Sequence, residues 1–358
     1  MENLDYIFYF GLSLMTTLLL MKVVTYFLAK VGQYDNPGGR KKHKYQTLTS
    51  AGILFIIQGI VLLILFSSDT KLLITLICGV VMGIVGFWDD RRNLSAKFKL
   101  IVQISLAIPI IYFLDPLPIS ELMFNIQNFG LDFPLTVFVI VALVNGINLL
   151  DGMDGYLGSI TLYSFVFLSF YFFSIEENSW GATAGIMAIG VMVFLKQNFA
   201  PAKVFMGDTG SLVLGFFLAG CLLYGINANP TLETTGSLVG LASFPLLDEA
   251  RVFFSRILER KSPMKADRRH FHHLLLNFKL SPFQIIVLTL TIQLLMHVSG
   301  VIFESSLFKI LALQAIIYTT MVLCIEIINY IRLSRKYNQL YESIQQEKRK
   351  TIQLSKAA

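Results

Sequence analysis

Long apolar runs are the feature of this sequence that most restricts its fold. About eleven segments are predominantly apolar, and each is close to the roughly 20 residues that a helix needs to cross a bilayer. Helices built from these segments would be apolar on every face and could not present a polar surface to water. The sequence therefore predicts an all-α, polytopic integral membrane protein with about eleven transmembrane helices.

The predicted spans cover residues 6–29, 51–67, 72–88, 98–114, 134–150, 157–174, 181–196, 209–226, 235–256, 283–303 and 307–331. Only 15% of the 358 residues are charged, against about 25% in an average soluble domain, which supports the same conclusion. Residues 332–358 are polar, and we expect a partly helical cytoplasmic tail close to lipid headgroups. The chain thus divides into one transmembrane domain, 1–331, and a tail, 332–358.

Loop charges predict the orientation of these spans. Basic residues concentrate in alternate loops: Arg40, Lys41, Lys42, Lys44, Arg91, Arg92, Lys97, Lys196, Lys203, Arg260, Lys261, Lys265, Arg268 and Arg269. Loops rich in lysine and arginine stay on the cytoplasmic side, so the N-terminus is predicted outside and the C-terminus inside. The net charge of +6 then reflects cytoplasmic loops beside anionic lipid, and we expect no nucleic-acid partner.

An acidic pair, Asp89 and Asp90, closes the third predicted span. The C-terminal end of a helix carries partial negative charge and disfavours carboxylates, so the pair indicates a cation nearby. Ionisable groups at membrane depth are usually functional, which favours a site over simple helix termination.

A second group of oxygen ligands follows the fifth span. Asn148, Asp151 and Asp154 recur at a spacing of three residues and would share one face of a helix. The interleaved Gly152 and Gly155 favour a tight turn instead, and in both conformations the oxygen atoms converge. Hard oxygen ligands suit Mg²⁺ better than zinc.

Asp208 opens the eighth span and allows two interpretations. Aspartate is among the best N-cap residues, so its side chain can simply cap the helix. Together with the acids of the other loops, it can equally be a further Mg²⁺ ligand.

Three histidines, His270, His272 and His273, lie in the loop after the ninth span. No loop offers a cysteine to complete a zinc site. The adjacent Arg268 and Arg269 favour contact with a phosphorylated or uracil-bearing ligand.

Hard-metal ligands, basic side chains and histidines on one membrane face are typical of phosphoryl chemistry, in which cations neutralise a pyrophosphate during in-line attack. The membrane location indicates that one substrate is a lipid. A transporter is the main alternative, because intramembrane charges often mark ion paths. Transporters place such groups near the midplane and often show internal repeats, and we find none. A structural scaffold would leave the acids unexplained.

Five motifs in this order resemble the polyprenyl-phosphate N-acetylhexosamine-1-phosphate transferases, glycosyltransferase family 4. The resemblance runs over residues 35–275 and is carried by strings such as Phe-x-Asp-Asp and Phe-Met-Gly-Asp-x-Gly-Ser. It implies transfer of a sugar-1-phosphate, with GlcNAc-1-phosphate expected, from a UDP-N-acetylhexosamine to polyprenyl (undecaprenyl) phosphate with release of UMP. It also implies a plasma (inner) membrane location with the active site on the cytoplasmic face, and a Mg²⁺ cofactor that Mn²⁺ can replace.

The resemblance further implies roles for individual residues. Asp89, Asp90 and Asp208 match the acids held catalytic in the family, with Asp208 also a Mg²⁺ ligand and Asn148 its companion. The remaining matches are substrate-binding positions: Lys42 and His43 for the lipid phosphate, Lys99 for the pyrophosphate, Asp151 and Asp154 on the nucleotide side, Asn198, and His270, His272 and His273 near the nucleotide and phosphates.

The histidine string resembles the branch that starts O-antigen, common-antigen or teichoic-acid linkage chains, because the muramyl-pentapeptide translocase branch has three contiguous histidines. The chain departs from the family at the second span, where Leu48 stands near a usual proline and Ala51-Gly52 replaces a glycine pair. Single displacement is the preferred mechanism, and a covalent phospho-aspartate on Asp89 or Asp90 stays open. The donor sugar and oligomeric state also stay open, with a homodimer among the assemblies considered.

Overall fold

The computed structural model describes residues 2–35, 46–124, 129–262, 269–302 and 306–357. The helices are α1 (Glu2–Lys30), α2 (Ile53–Leu65), α3 (Thr70–Arg92), α4 (Ala96–Leu114), α5 (Ile119–Phe124), α6 (Phe129–Leu149), α7 (Tyr156–Ser174), α8 (Asn178–Asn198), α9 (Gly207–Ala228), α10 (Leu232–Leu258), α11 (Phe271–Leu276), α12 (Pro282–Ile302) and α13 (Leu307–Ala357). Two short strands, β1 (Tyr34–Asp35) and β2 (Thr47–Leu48), pair antiparallel.

The prediction of an all-α polytopic membrane protein is confirmed. Each of the eleven predicted spans coincides with a helix, and the short α5 and α11 are additions. Within the described ranges, nine helices are long and apolar enough to cross a membrane. The other two of the eleven are α2, with only 13 residues, and α10, which carries Asp248, Glu249 and Arg251.

Helix α9 forms the centre of the bundle. In its most apolar stretch, 94% of the residues are buried. Six helices pack around it: α2, α3, α4, α6, α7 and α10. A helix that is apolar on all sides is stable only when other helices surround it. The first turn of α9 carries Asp208, so the core of the protein fixes the position of that carboxylate.

The sequence motifs meet at one end of the bundle, which we call the polar end. There the last turn of α3 contacts the first turns of α4 and α9, and Asn148 at the end of α6 contacts Ser211. The opposite end has contacts of its own, such as Ser179 with Asp69. This arrangement agrees with the alternation of loop charges, while the sidedness of the polar end stays a prediction.

The start of α2 is fastened to the start of α9 by backbone contacts. Ala51 and Gly52 donate their N–H groups to the carbonyls of Phe205 and Met206, each at 3.1 Å. A Cβ on Gly52 would lie 2.1 Å from the backbone nitrogen of Gly210, so only glycine allows this approach. Ala51 is fully buried without such a conflict. The sequence Ala51-Gly52 therefore still has glycine at position 52, where the packing against α9 requires it.

We predict that Gly52→Ala lowers the free energy of unfolding by about 1–3 kcal/mol, because the added methyl group overpacks the α2–α9 contact. The backbone of Gly52 is in the right-handed helical region, so conformational strain would not contribute. Gly11→Ala is the matched control, since no atom lies within 4 Å of a Cβ at that position. Equal thermal unfolding midpoints for the two variants in detergent would show that the contact is not tight.

Candidate active site

Two carboxylates and one ammonium group form the centre of the polar end. The Nζ atom of Lys99 lies 2.7 Å from Oδ2 of Asp89 and 2.7 Å from Oδ2 of Asp208. The three side chains come from the end of α3, the start of α4 and the start of α9. Lys99 is therefore the cation that the acidic pair indicated, and it stabilises negative charge on both carboxylates.

The turn between α3 and α4 brings Lys99 back to Asp89. Asn93 ends α3 in the left-handed conformation, with φ of 50°, and donates its N–H to the carbonyl of Asp89. The Asp89 carboxylate also accepts the backbone N–H of Leu94. Asparagine is among the few residues that adopt this conformation readily, so the local sequence favours the turn.

Asp90 has different surroundings from Asp89. Its carboxylate accepts hydrogen bonds from Ser50 Oγ at 2.7 Å and Thr209 Oγ1 at 2.6 Å, and from the backbone N–H groups of Asp208 and Thr209 at 2.8 and 3.3 Å. Those N–H groups belong to the first turn of α9, where a helix has no internal acceptors. Asp90 therefore caps α9 from outside, and this contact fixes the backbone that carries Asp208.

The alternative that Asp208 caps its own helix is wrong. The N-cap position is Met206, which makes no side-chain cap, and the Asp208 carboxylate turns to Lys99 instead. Gly207 has φ of +71°, and a Cβ there would meet Oδ2 of Asp90 at 2.4 Å. Glycine is needed at that position for both reasons.

The segment between α6 and α7 is a turn, as the two glycines predicted, and it lies against the loop before α9. Gly155 N–H donates to Asn198 Oδ1 at 2.9 Å, and Asn198 Nδ2 donates to the carbonyl of Val204 at 2.8 Å. Asp154 accepts the N–H of Ala202 at 2.9 Å. Asn198 and Asp154 thus hold two loops of the site together.

Asn148 and Asp151 lie closer to the start of α9. Asn148 Oδ1 accepts the hydroxyl of Ser211, one turn after Asp208, at 2.6 Å. Removal from water, together with the charges of Asp208 and Asp90, raises the pKa of Asp151 to about 7. Within the described part of the chain, the site therefore gathers several carboxylates close to Lys99.

The histidine motif packs directly on this turn. A Cβ on Gly152 would lie 2.5 Å from Nε2 of His272, and the ring centroid of His272 is 5.1 Å from that of Tyr156. The His273 ring lies 4.2 Å from the His272 ring. The structure thus brings the histidines to the same cluster as the acids. Lys42 and His43 lie outside the described residues.

A buried carboxylate that the sequence analysis did not single out holds this motif in place. Asp248, 2% exposed on α10, accepts the Nδ1–H of His270 at 2.9 Å, the hydroxyl of Tyr318 at 2.7 Å and the backbone N–H of Phe271 at 3.0 Å. It also pairs with Arg251 at 3.1 Å. The sequence signal for Asp248 was an acidic residue inside an apolar run. No sequence signal pointed to its partner Tyr318, which is far away in the chain.

A divalent cation fits the chemistry of the site. As the side chains stand, no three carboxylate, imidazole or thiol groups in the described ranges meet closely enough to hold a metal ion. Among the described residues, the side chains near Asp208 that could bind a metal ion nevertheless offer oxygen atoms, those of Asp89, Asn148 and Asp151, and Lys99 is the ammonium group that contacts Asp208. Oxygen donors with surplus negative charge suit Mg²⁺.

Comparison with known proteins gives the family. Residues 72–226, which include Asp89, Lys99 and Asp208, match the model of glycosyl transferase family 4. The probable undecaprenyl-phosphate N-acetylglucosaminyl 1-phosphate transferase of Bacillus subtilis is 29% identical over 83% of this chain and 84% of its own length. The chain therefore carries a glycosyl transferase family 4 domain over residues 72–226.

Within family 4, the longer matches lie in the N-acetylglucosaminyl branch. The undecaprenyl-phosphate alpha-N-acetylglucosaminyl 1-phosphate transferase of Escherichia coli is 27% identical over 78% of each chain. A phospho-N-acetylmuramoyl-pentapeptide-transferase of Thermoanaerobacter is 35% identical, but over 53% of this chain and 65% of its own length. The branch inferred from the histidine string is thus supported.

We predict that Asp248→Asn lowers the free energy of unfolding by about 3–5 kcal/mol, because an amide cannot accept from all four donors and leaves Arg251 without its buried partner. Glu259→Gln is the matched control, since Glu259 pairs with Lys261 and Arg269 at the exposed side of the same loop, where ion pairs contribute little. Thermal unfolding in detergent measures both. A midpoint for Asp248→Asn equal to that of the control would contradict the role of Asp248.

Proposed function

We propose that this protein transfers N-acetylglucosamine 1-phosphate from UDP-N-acetylglucosamine to undecaprenyl phosphate and releases UMP. It acts as a homodimer in the plasma (inner) membrane, with the polar end on the cytoplasmic side, where nucleotide sugars are found. The product, undecaprenyl-diphosphate-sugar, starts a cell-surface polysaccharide such as O-antigen. The observation that carries the proposal is the Asp89–Lys99–Asp208 cluster at one end of an apolar bundle.

The reaction is a single displacement at phosphorus. An oxygen of the lipid phosphate attacks the β-phosphorus of the UDP-sugar, the bond from that phosphorus to the bridging oxygen breaks, and UMP leaves with the bridging oxygen. Asp89 orients the lipid phosphate and accepts its proton where it carries one. Lys99 lies where it can neutralise the charge that develops on the pyrophosphate.

Asp208 and Asn148 are the proposed ligands of Mg²⁺, and Mn²⁺ can replace it. When bound, the metal stabilises negative charge on the diphosphate and on the leaving UMP. Lys99 contacts Asp208 in the structure. Lys99 would be free to contact the substrate phosphates if a metal ion took its place on Asp208.

The remaining residues bind the two substrates. Asp151 and Asp154 lie on the nucleotide side, and Asn198 supports that loop. His270, His272 and His273, which pack on the same turn, contact the uridine and phosphate groups. The first loop, with Lys42 and His43, is the proposed site of the lipid phosphate.

The covalent alternative is disfavoured for Asp90. Its two oxygens already accept four hydrogen bonds, so a nucleophilic attack by Asp90 would break the cap of α9. The transporter alternative is disfavoured by position, because the acids gather at one end of the bundle rather than at its middle.

We predict that purified protein with Mg²⁺, undecaprenyl phosphate and UDP-N-acetylglucosamine releases UMP, and that Asp89→Asn lowers this rate at least about 100-fold while the protein still folds and inserts into the membrane. Asp208→Asn is expected to lose activity as well. Asp115→Asn, at the exposed opposite end, serves as control. A panel of UDP-sugars in the same assay identifies the donor.

The Asp90→Asn variant distinguishes the role of Asp90 from that of Asp89. Because Asp90 accepts four hydrogen bonds and caps α9, we predict that Asp90→Asn loses activity and also lowers the unfolding temperature more than Asp89→Asn does. Near-normal UMP release by Asp208→Asn would contradict the metal assignment. Transport of a solute across proteoliposomes without UMP release would contradict the proposed function.

A further inference from the structure

The last helix continues far beyond the bundle. Helix α13 has 51 residues, about 76 Å at 1.5 Å per residue. Arg332 donates to the carbonyl of Asn277 at 3.0 Å and lies over the Phe278 ring, which marks its contact with the loops of the polar end. The helix then runs on without a break to Ala357, so the division at residue 332 falls inside one helix.

An apolar stripe follows one face of this extension. Its members are 43% to 72% exposed: Tyr330, Leu333, Tyr337, Leu340 and Ile344. They are separated by three, four, three and four residues, which is the 3.5-residue period of a coiled-coil seam. The charged residues of the same stretch all lie on other faces: Arg332, Arg335, Lys336 and Glu342.

We infer that this stripe pairs with the same stripe of a second copy of the chain, forming a parallel two-stranded coiled coil on the cytoplasmic side. Tyr330, Tyr337 and Ile344 would take the a positions, and Leu333 and Leu340 the d positions. The inference rests on the homodimer of the proposed function and assigns that dimer a contact outside the membrane.

A second copy is the partner that the geometry fits best. Two copies insert in the same orientation, so their α13 helices leave the membrane in parallel and at equal height, and equivalent positions face each other. Across such a seam Lys336, at position g, faces Tyr341, at position e of the partner helix. An ammonium beside an aromatic face is a favourable pair.

A lipid surface fits the stripe less well. The extension continues the predicted span as one helix, and its residues 333–344 are exposed. An amphipathic helix must instead lie in the plane of the membrane to bury its apolar face. A seam this short would be marginal between free peptides in water. Anchoring both helices in one membrane raises their effective concentration and offsets this weakness.

Cysteine cross-linking of the full-length protein in membranes tests the inference. The background is Cys324→Ala, because Cys324 is exposed on α13 while Cys78 and Cys221 are buried. We expect Leu340→Cys to give a disulfide-linked dimer under mild oxidation. Glu342→Cys, two residues away at an f position, is the matched control and should cross-link at least several-fold less.

A scan of single cysteines from residue 333 to 344 should give yields that peak at Leu333, Tyr337, Leu340 and Ile344. Equal yields at Leu340 and Glu342, or no dimer at either, would overturn the pairing. A cross-linked product of another size would show that a different protein occupies the stripe. UMP release is measured in the same preparations. A protein that releases UMP but does not cross-link would contradict the pairing alone, and a protein that releases no UMP would contradict the proposed function.

Discussion

The contact of Lys99 with both Asp89 and Asp208 is the interaction on which the site depends. It joins the ends of three helices, α3, α4 and α9, at a depth where unpaired carboxylates would repel one another and lose hydration. Because α9 is almost wholly buried, its first turn cannot shift without disturbing the helices around it. The packing of α9 therefore fixes the position of Asp208, and the contacts of Lys99 hold the ends of α3 and α4 against it.

Adjacent positions on a helix point about 100° apart, so Asp89 and Asp90 can serve two different neighbours. Asp89 faces α4 and Lys99, where it can reach a substrate. Asp90 faces α9, where it satisfies N–H groups that have no acceptor in their own helix. One acidic dipeptide thus combines the proposed reactive group, Asp89, with the cap that positions Asp208.

Much of this arrangement could be predicted from the sequence, because its signals are local. The eleven apolar runs indicated the helices, Gly152 and Gly155 indicated the turn, and the acids at a helix end indicated a cation. Long-range contacts carried no such signal. The cap of α9 comes from a residue 118 positions earlier, and the partner of Asp248 on α13 is 70 residues away. The sequence predicted a partly helical tail after residue 331, and in the structure α13 continues through that boundary as one helix to Ala357.

The proposed reaction depends most directly on Asp208 as the ligand of a divalent cation. Mn²⁺ binding to the purified protein, followed by electron paramagnetic resonance, tests this without reference to turnover. We predict one bound Mn²⁺ that is retained in Asp115→Asn and lost in Asp208→Asn. Equal Mn²⁺ binding by wild type and Asp208→Asn would contradict the account.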